Sequence, residues 1–448
     1  MIHRTLIAAL VAIAVVPAVQ AEEADRAGES DRAAPRGNVV LLHRIDMEPF
    51  GPCRDLRLGD LEGDGRLDLL VVQNHGQEIR RLIALDLTGK VLWRVGDRPV
   101  GAPASSDVAV QIHDLDGDGR NNVVYVGEGR IRVLEGKTGK TLREAPLPAA
   151  RANDCLAFAD FAGSGHAGNV VVKDRYRQVW ALNEEFEVLW TWSGNPGHYC
   201  WPHDVDGDGR DELIAGYTLL GPDGKELWSV DLPGHADAVA VADVDGNTEN
   251  GPEIAYATCG GNVFALAGAD GTIRWKHPCR HSQHVVLGDF RSDLPGREMA
   301  AVDRGNDRSA SGVDTMLLYS AGGEELWREQ RTDPGEHRWL TIITTVRNWD
   351  GKDHDLILGY RRGGSTYPTL YDGHGDPVAT FPIPPPEMRS YAQHADVAGD
   401  AREEIVVWNE GEIRVYGNGD PPPAGIARPA SRPNGKRLYN YTYYIGMP

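Results

Sequence analysis

The chain has 448 residues, 41% of them hydrophobic, which is enough for one large domain or two ordinary ones with a sizeable buried core. Its formal net charge of -20 argues against a nucleic-acid partner, because phosphate binding needs a basic surface. Five cysteines allow two disulfides at most.

Residues 1–21, "MIHRTLIAALVAIAVVPAVQA", combine a basic start, an apolar run and a small residue at the end, the pattern of a cleaved secretory signal. The expectation is a secreted or periplasmic protein with no membrane span, since the chain has no second long apolar run. Residues 22–37 are charged and poor in apolar residues, and read as a disordered leader. The segment "NVVLLHRI" at residues 38–45 reads as a free-standing strand.

From there to about residue 420 the chain repeats itself. Eight segments share one plan, among them "LGDLEGDGRLDLLVV", "IHDLDGDGRNNVVYV" and "PHDVDGDGRDELIAG". Their lead positions, Asp60, Asp114, Asp160, Asp204, Asp243, Asp289, Asn348 and Asp396, are spaced 39 to 59 residues apart. Each unit reads as a short apolar strand, an acidic loop, a second apolar strand, and then two strands around a Gly turn. Four strands at a period in the forties predict an all-β fold, a β-propeller of four-stranded blades. Eight leads predict eight blades, with seven blades and one degenerate motif as the alternative. The strand at residues 38–45 is expected to complete the last blade and close the ring without an open sheet edge. The propeller then spans 38–420, and the Pro-rich and Tyr-rich tail, 421–448, is expected to pack on it. Recurrent Leu-Trp pairs, with Trp93, Trp190, Trp228 and Trp327, are assigned to packing between blades. Cys259 and Cys279 are the preferred disulfide pair, because they start and end neighbouring connections; Cys155 and Cys200 form a second candidate pair.

The acidic loops have metal-ligand spacing. In three repeats oxygen-bearing residues fall at loop positions 1, 3, 5 and 9, with Gly at 4 and 6: Asp60, Glu62, Asp64, Asp68; Asp114, Asp116, Asp118, Asn122; and Asp204, Asp206, Asp208, Glu212. The fifth repeat keeps Asp243 and Asp245. A hard cation such as calcium takes six to eight oxygens, which alternate side chains of a tight loop supply. About three structural calcium sites are therefore expected.

The other end of each inner strand, five to seven residues before the lead, emerges on the opposite face, together with the turn after the second strand. The strand starts place Arg54, Asp107, Asp154, His198, Tyr199, Asp237, Arg280, His281, His284 and Tyr391 there. The turns add Asn74, His75, Lys173, Asp174, Arg175, Tyr176, Tyr217, Arg304, Asn306, Arg308, Tyr360, Arg361 and Arg362. Arg, His and Tyr concentrated on one face of an acidic protein point to an anionic ligand with flat faces, such as an acidic sugar chain. His113, beside a metal loop, reads as packing.

The acidic loops and blade plan resemble FG-GAP/VCBS-type calcium-binding propellers, including integrin-type adhesion propellers. With the closing "NGKRLYNYTYYIGMP" the chain resembles the propeller polysaccharide lyases, chiefly rhamnogalacturonan lyases and more loosely ulvan lyases. The resemblance implies secretion, calcium and an acidic polysaccharide cleaved by β-elimination beside a uronic acid. On the predicted face, His198 or His284 is then the expected base and Tyr217 its acid partner. Arg175, Arg304 or Arg361 is the expected carboxylate clamp. Arg54, His75, Tyr176, Tyr199, Arg280, His281 and Tyr360 are the expected substrate contacts. The alternative is a non-catalytic propeller that binds a cell-surface glycan or protein.

Overall fold

The second strands of the repeats carry apolar runs, as in "LLVV" and "IVVW", and such a run is stable only when both its faces are buried. The computed structural model, which describes residues 38–104, 107–304, 313–330, 340–352, 354–361, 366–383 and 390–421, buries it between neighbouring sheets. The signal, the leader, nearly all of the C-terminal tail, Asn306, Arg308 and Arg362 lie outside the described residues.

The strands form eight four-stranded antiparallel sheets arranged as the blades of a propeller. Blade one consists of Asp55–Gly59, Asp68–His75, Glu78–Leu85 and Val91–Val95, and the next six blades repeat its order. Blade eight takes Tyr391–Ala395, Glu404–Trp408 and Glu412–Asn418 from one end of the propeller and Val39–Asp46 from the other. That last strand runs antiparallel to its neighbour, from Val39 opposite Asn418 to Asp46 opposite Glu412. The ring is closed as expected, and the seven-blade alternative is excluded.

The core is distributed around the ring, in apolar slabs between blades. Leu70, Val72, Val110, Ile112 and Val123 join blades one and two, and Val286, Ala300, Ile343 and Ile357 join blades six and seven. Outer strands instead alternate, as in Thr141–Pro146, and carry charges that protect the exposed edge.

One contact recurs between blades. The outer-strand Trp93, Trp190, Trp228, Trp275 and Trp327 donate their indole N–H to a carbonyl in the Gly turn of the following blade, at 2.6 to 3.0 Å. The turn glycine on which each ring rests, Gly139, Gly224, Gly271, Gly323 or Gly375, has φ between 68° and 86°. A Cβ at Gly224 would sit 2.5 Å from Trp190, and one at Gly271 would sit 2.8 Å from Trp228. The glycine is required twice, for its left-handed backbone and for the space under the ring.

The carboxylate or amide at loop position 9 or 10 has a role that does not depend on a cation. Asp68, Asn122, Asn169, Glu212, Glu298 and Glu404 each accept the backbone N–H of the residue after the lead, or of its neighbour, at 2.7 to 3.2 Å. Asn169, Glu298 and Glu404 do so in loops that have no carboxylate at position 3. Glu404 is only 2% exposed, and burial pushes its carboxyl up to about 7 against the N–H bonds from Ala398 and Val397.

The disulfide expectation is not met, since all five cysteines are free. Cys155 and Cys200 are buried in different apolar clusters. Cys279 packs against the core shared by blades five and six, while the Cys259 thiol faces His281 Nε2 at 3.9 Å. His113 packs as expected, stacked on Phe158 at 4.1 Å with Nε2 on the Ala167 carbonyl.

Replacing Gly271 by Ala should destabilise the chain by about 1–3 kcal/mol through strain and overpacking, and Trp228→Phe by about 1 kcal/mol through the orphaned Ala269 carbonyl. Chemical unfolding of each variant measures both. Folded Glu404 retains a proton that the unfolded chain releases near pH 4.5, so its contribution makes stability fall as pH rises from there through about 7. Glu404→Gln keeps the backbone acceptor and should remove this share of the slope, leaving the variant more stable than the parent at pH 8 but not at pH 4. Thermal melts across that range check it.

Candidate functional site

The inner strands of blades three to six begin at one rim, and the turns after their second strands end there. Two irregularities aim the side chains. In blade five, His235 pairs with Cys259 and Ala236 with Thr258, and then the register slips so that Asp237 has no partner opposite. In blade six the same slip leaves Gln283 unpaired between Ser282 and His284. A β-bulge of this kind turns the extra residue out of the strict alternation. Here it turns Asp237 and Gln283 toward each other, with Gln283 Nε2 donating to Asp237 Oδ2 at 3.1 Å.

Asp237 is the hub. It is 2% exposed, and its Oδ1 lies 3.2 Å from His198 Nε2 and 3.1 Å from His235 Nε2. Its Oδ2 lies 4.0 Å from His281 Nε2. Cross-strand pairing sets the Cys259 thiol beside His235. His235 and His281 lower that thiol to about 7 against burial, and although burial disfavours a charged His235, Asp237 and Cys259 raise its ring to about 9. From blade three, the Tyr176 hydroxyl reaches His198 Nε2 at 3.0 Å, and its ring lies 4.7 Å from that of His235. Tyr176 is 40% exposed and is the open edge of the cluster. Arg175 sits 5.6 Å over the Tyr176 ring and contacts Asp154 at 3.3 Å. Burial disfavours its charge, but the Asp154 carboxylate holds its pKa above the usual arginine range. Arg304 donates to Gln283 Oε1 at 2.8 Å, completing a chain from blade six to Asp237.

The rim therefore brings together five expected residues, Arg175, Tyr176, His198, His281 and Arg304. Tyr217 lies close by, its hydroxyl donating to the Pro233 carbonyl at 3.1 Å, and burial followed by the charge of Asp237 pushes the phenol above its usual range. Other expected residues are placed elsewhere. His284 is fully buried, Tyr360 is 2% exposed and Tyr199 5%. Arg54 bridges blades one and eight through Glu410, and Arg280 pairs with Asp303 and Thr315. His75 is exposed at the end of a blade-one strand, Arg361 comes directly after the blade-seven strand Asp355–Tyr360, and Tyr391 stacks on Trp408. Lys173 and Asp154 form a buried pair, and Arg57 binds Asp55 and Asp107 between blades one and two. His235, Cys259 and Gln283 were not singled out as site residues. The His-x-Asp spacing of 235 and 237 was a usable signal, but the bulges that aim Asp237 and Gln283 have no sequence signature.

The acidic loops lie at the other end of the inner strands. Six lead carboxylates, those of Asp60, Asp114, Asp160, Asp204, Asp243 and Asp396, fold onto their own loops, as Asp60 does in accepting Gly63, Asp64 and Gly65 N–H at 2.7 to 3.1 Å. Three loops bring three ligand oxygens within 4.8 Å of one another: Asp114, Asp116, Asp118; Asp204, Asp206, Glu212; and Asp243, Asp245, Glu253. Among the described residues, Asp60, Glu62, Asp64 and Asp68 form no such group. Asp208 pairs with Arg210 at 2.8 Å, and Asn122 is engaged with Leu115 N–H. Glu253 replaces the expected position 9, because the short 3-10 helix Thr248–Asn250 lengthens the loop.

With this geometry in place, comparison with known proteins is informative. Residues 169–333 match the model for "Rhamnogalacturonan lyase family 11, C-terminal domain", and residues 60–188 match that for "Outer membrane protein assembly factor BamB". The chain is 25% identical to the rhamnogalacturonan endolyase YesW of Bacillus subtilis, across 81% of this chain and 67% of that protein. It is 26% identical to the exolyase YesX of the same organism, in an alignment that spans 48% of this chain and less than half, 45%, of the relative. The crystal structure of YesX superposes with a TM-score of 0.63 at 19% identity, over 86% of this chain and 75% of the other. The lyase-domain match runs from the second strand of blade three through blade six, the blades that supply the rim cluster. The protein is an eight-bladed β-propeller similar to the rhamnogalacturonan lyases.

Proposed function

We propose that this chain is an exported lyase that cleaves an acidic polysaccharide of the rhamnogalacturonan class by β-elimination beside a uronic acid. One coincidence carries the reading: the part of the chain that matches a rhamnogalacturonan lyase domain is the part that gathers phenol, imidazole and guanidinium groups at one rim. Elimination removes the proton at C5 of the uronate, moves that electron pair into a C4–C5 double bond, and breaks the bond from C4 to the glycosidic oxygen, which then takes up a proton. The residues must hold the uronate carboxylate so that C5 becomes acidic, and must carry the proton.

Arg175 and Arg304 are charged groups at this rim that suit the first task. For the second, Tyr176 has the exposed phenol, and its hydrogen bond to the nearly buried His198 orients it and gives the proton a place to go. His284 lies beneath the rim with no exposed surface, which favours the Tyr176–His198 pair as the proton carriers. Export, expected from residues 1–21, is part of the same proposal.

Calcium at the far rim is proposed as a fastener. Asp114, Asp116 and Asp118, then Asp204, Asp206 and Glu212, and then Asp243, Asp245 and Glu253 would hold it, supported by their convergence and all-oxygen character. Bound there, it would neutralise carboxylates that otherwise repel one another.

Incubating the full chain with rhamnogalacturonan should raise ultraviolet absorbance as the unsaturated uronate forms. Tyr176→Phe and His198→Ala should each slow the rise by about 100-fold or more with unchanged melting temperature. Flat traces from the folded parent across rhamnogalacturonan, polygalacturonate and ulvan would overturn the lyase reading in favour of a glycan binder. Removing divalent ions by chelation should lower the melting temperature by roughly 5 °C or more, with recovery on adding calcium but not magnesium.

A further inference from the structure

The donors around Asp237 are of the wrong kind for the ion proposed in the acidic loops. We propose that Asp237, Cys259, His281 and His235 bind one zinc-class divalent cation, with His198 left to its hydrogen bond with Tyr176. Its catalytic use rests on the lyase reading above; its binding does not.

Three observations carry this. First, the donor atoms converge: those of Asp237, Cys259 and His281 lie within 4.8 Å of one another, and that of His235 lies as close to Asp237. Ligands of a tetrahedral zinc, with bonds of about 2.0–2.3 Å, stand roughly 3.3–3.8 Å apart. The separations of 3.1 Å from Asp237 Oδ1 to His235, 4.0 Å from its Oδ2 to His281 and 3.9 Å between Cys259 and His281 bracket that spacing. Second, the closest pair of donors is poorly aligned for hydrogen bonding: His235 Nε2 and Asp237 Oδ1 are shielded from solvent and 3.1 Å apart, yet their geometry is not that of a hydrogen bond. A buried carboxylate oxygen and an imidazole nitrogen so close, without the alignment of a donor and an acceptor, are disposed as two ligands of a shared ion. Third, the carboxylate is held from behind, as ligands of bound metals are: Gln283 donates to Asp237 Oδ2, and Arg304 in turn donates to Gln283.

The donor types choose the ion. Calcium seeks six to eight oxygens, and this pocket offers one carboxylate among imidazoles and a thiol. Thiolate and imidazole select zinc and its borderline neighbours. Binding replaces the Cys259 S–H proton by a sulfur–metal bond and releases that proton to solvent. Cys259, His235 and His281 are partly exposed on the rim side, so an anionic oxygen of a sugar can reach an ion held there. A zinc-class ion at this place would add a positive charge beside Tyr176.

The full chain, free of any affinity tag and saturated with calcium so that the acidic loops are occupied, should bind one equivalent of zinc in a calorimetric titration. Cobalt in place of zinc should show a sulfur-to-cobalt charge-transfer band. Cys259→Ser should abolish the band, and Cys259→Ser and Asp237→Asn should each weaken zinc binding by about tenfold or more with an unchanged melting temperature of the metal-free chain. Cobalt binding without the band, zinc affinity unmoved by Cys259→Ser, or no zinc uptake would each overturn the assignment. Lyase activity in a chain that takes up no zinc sinks only this inference. Stoichiometric zinc with a sulfur signature and no cleavage of any uronate polymer sinks only the lyase reading.

Discussion

Everything in this molecule depends on how one blade is fastened to the next. A four-stranded sheet that is apolar on both faces cannot stand alone, and here five of the sheets are clamped by an indole that reaches over the gap to a turn carbonyl of the neighbouring blade. The turn must pass directly beneath the ring, so it must be glycine with a left-handed backbone. The contact links each of these outer strands to the following turn around much of the ring, and the N-terminal strand in blade eight closes what would otherwise be a frayed edge. The site depends on this fastening, because no single blade contains it. Tyr176 belongs to blade three, His198 to blade four, Asp237 and Cys259 to blade five, and His281, Gln283 and Arg304 to blade six.

The inner strands serve two rims. At one end the acidic loops are tight, oxygen-rich and bonded to their own backbone, which suits a fastener. At the other, the strands lose register for one residue, and the displaced side chains meet across the gap between blades five and six. A strand of four to eight residues sets these ends roughly 15–25 Å apart, so an event at one rim does not touch the other. In our reading hard-ion binding stays at the loops, while soft donors and proton carriers face the sugar.

Much of the fold was legible because its determinants are local and repeated. Asp-x-Asp-x-Asp loops, apolar runs and Gly-Trp turns recur at a fixed plan, so each instance supports the others, and the blade count and N-terminal closure came from them. The loop chemistry was legible less completely. The short helix Thr248–Asn250 moved a carboxylate to Glu253, where a count by position would not look for it, and Asp208 was drawn away by Arg210. The cysteines were misread as disulfides because spacing says nothing about where a thiol points: Cys259 faces an imidazole, and Cys279 packs against the core of blades five and six. For the rim, the strand-start and turn positions found His198, His281 and Arg304 together with residues such as His284 and Tyr360 that alternation buries. The rule finds the end of a strand and cannot find which face a side chain takes.

The sequence by itself determined the all-β class, the eight-fold repeat, the blade that is built from both ends of the propeller, and the places where carboxylates cluster. All of these depend on short-range periodicity, which survives in a one-dimensional string. Only the tertiary structure decided that Asp237 is a hub, that His235 and Cys259 stand beside it, and that Gln283 and Arg304 brace it from the next blade. Those relations arise from two bulges and from packing between blades, and neither a one-residue slip of register nor a contact between separate sheets leaves a pattern along the chain.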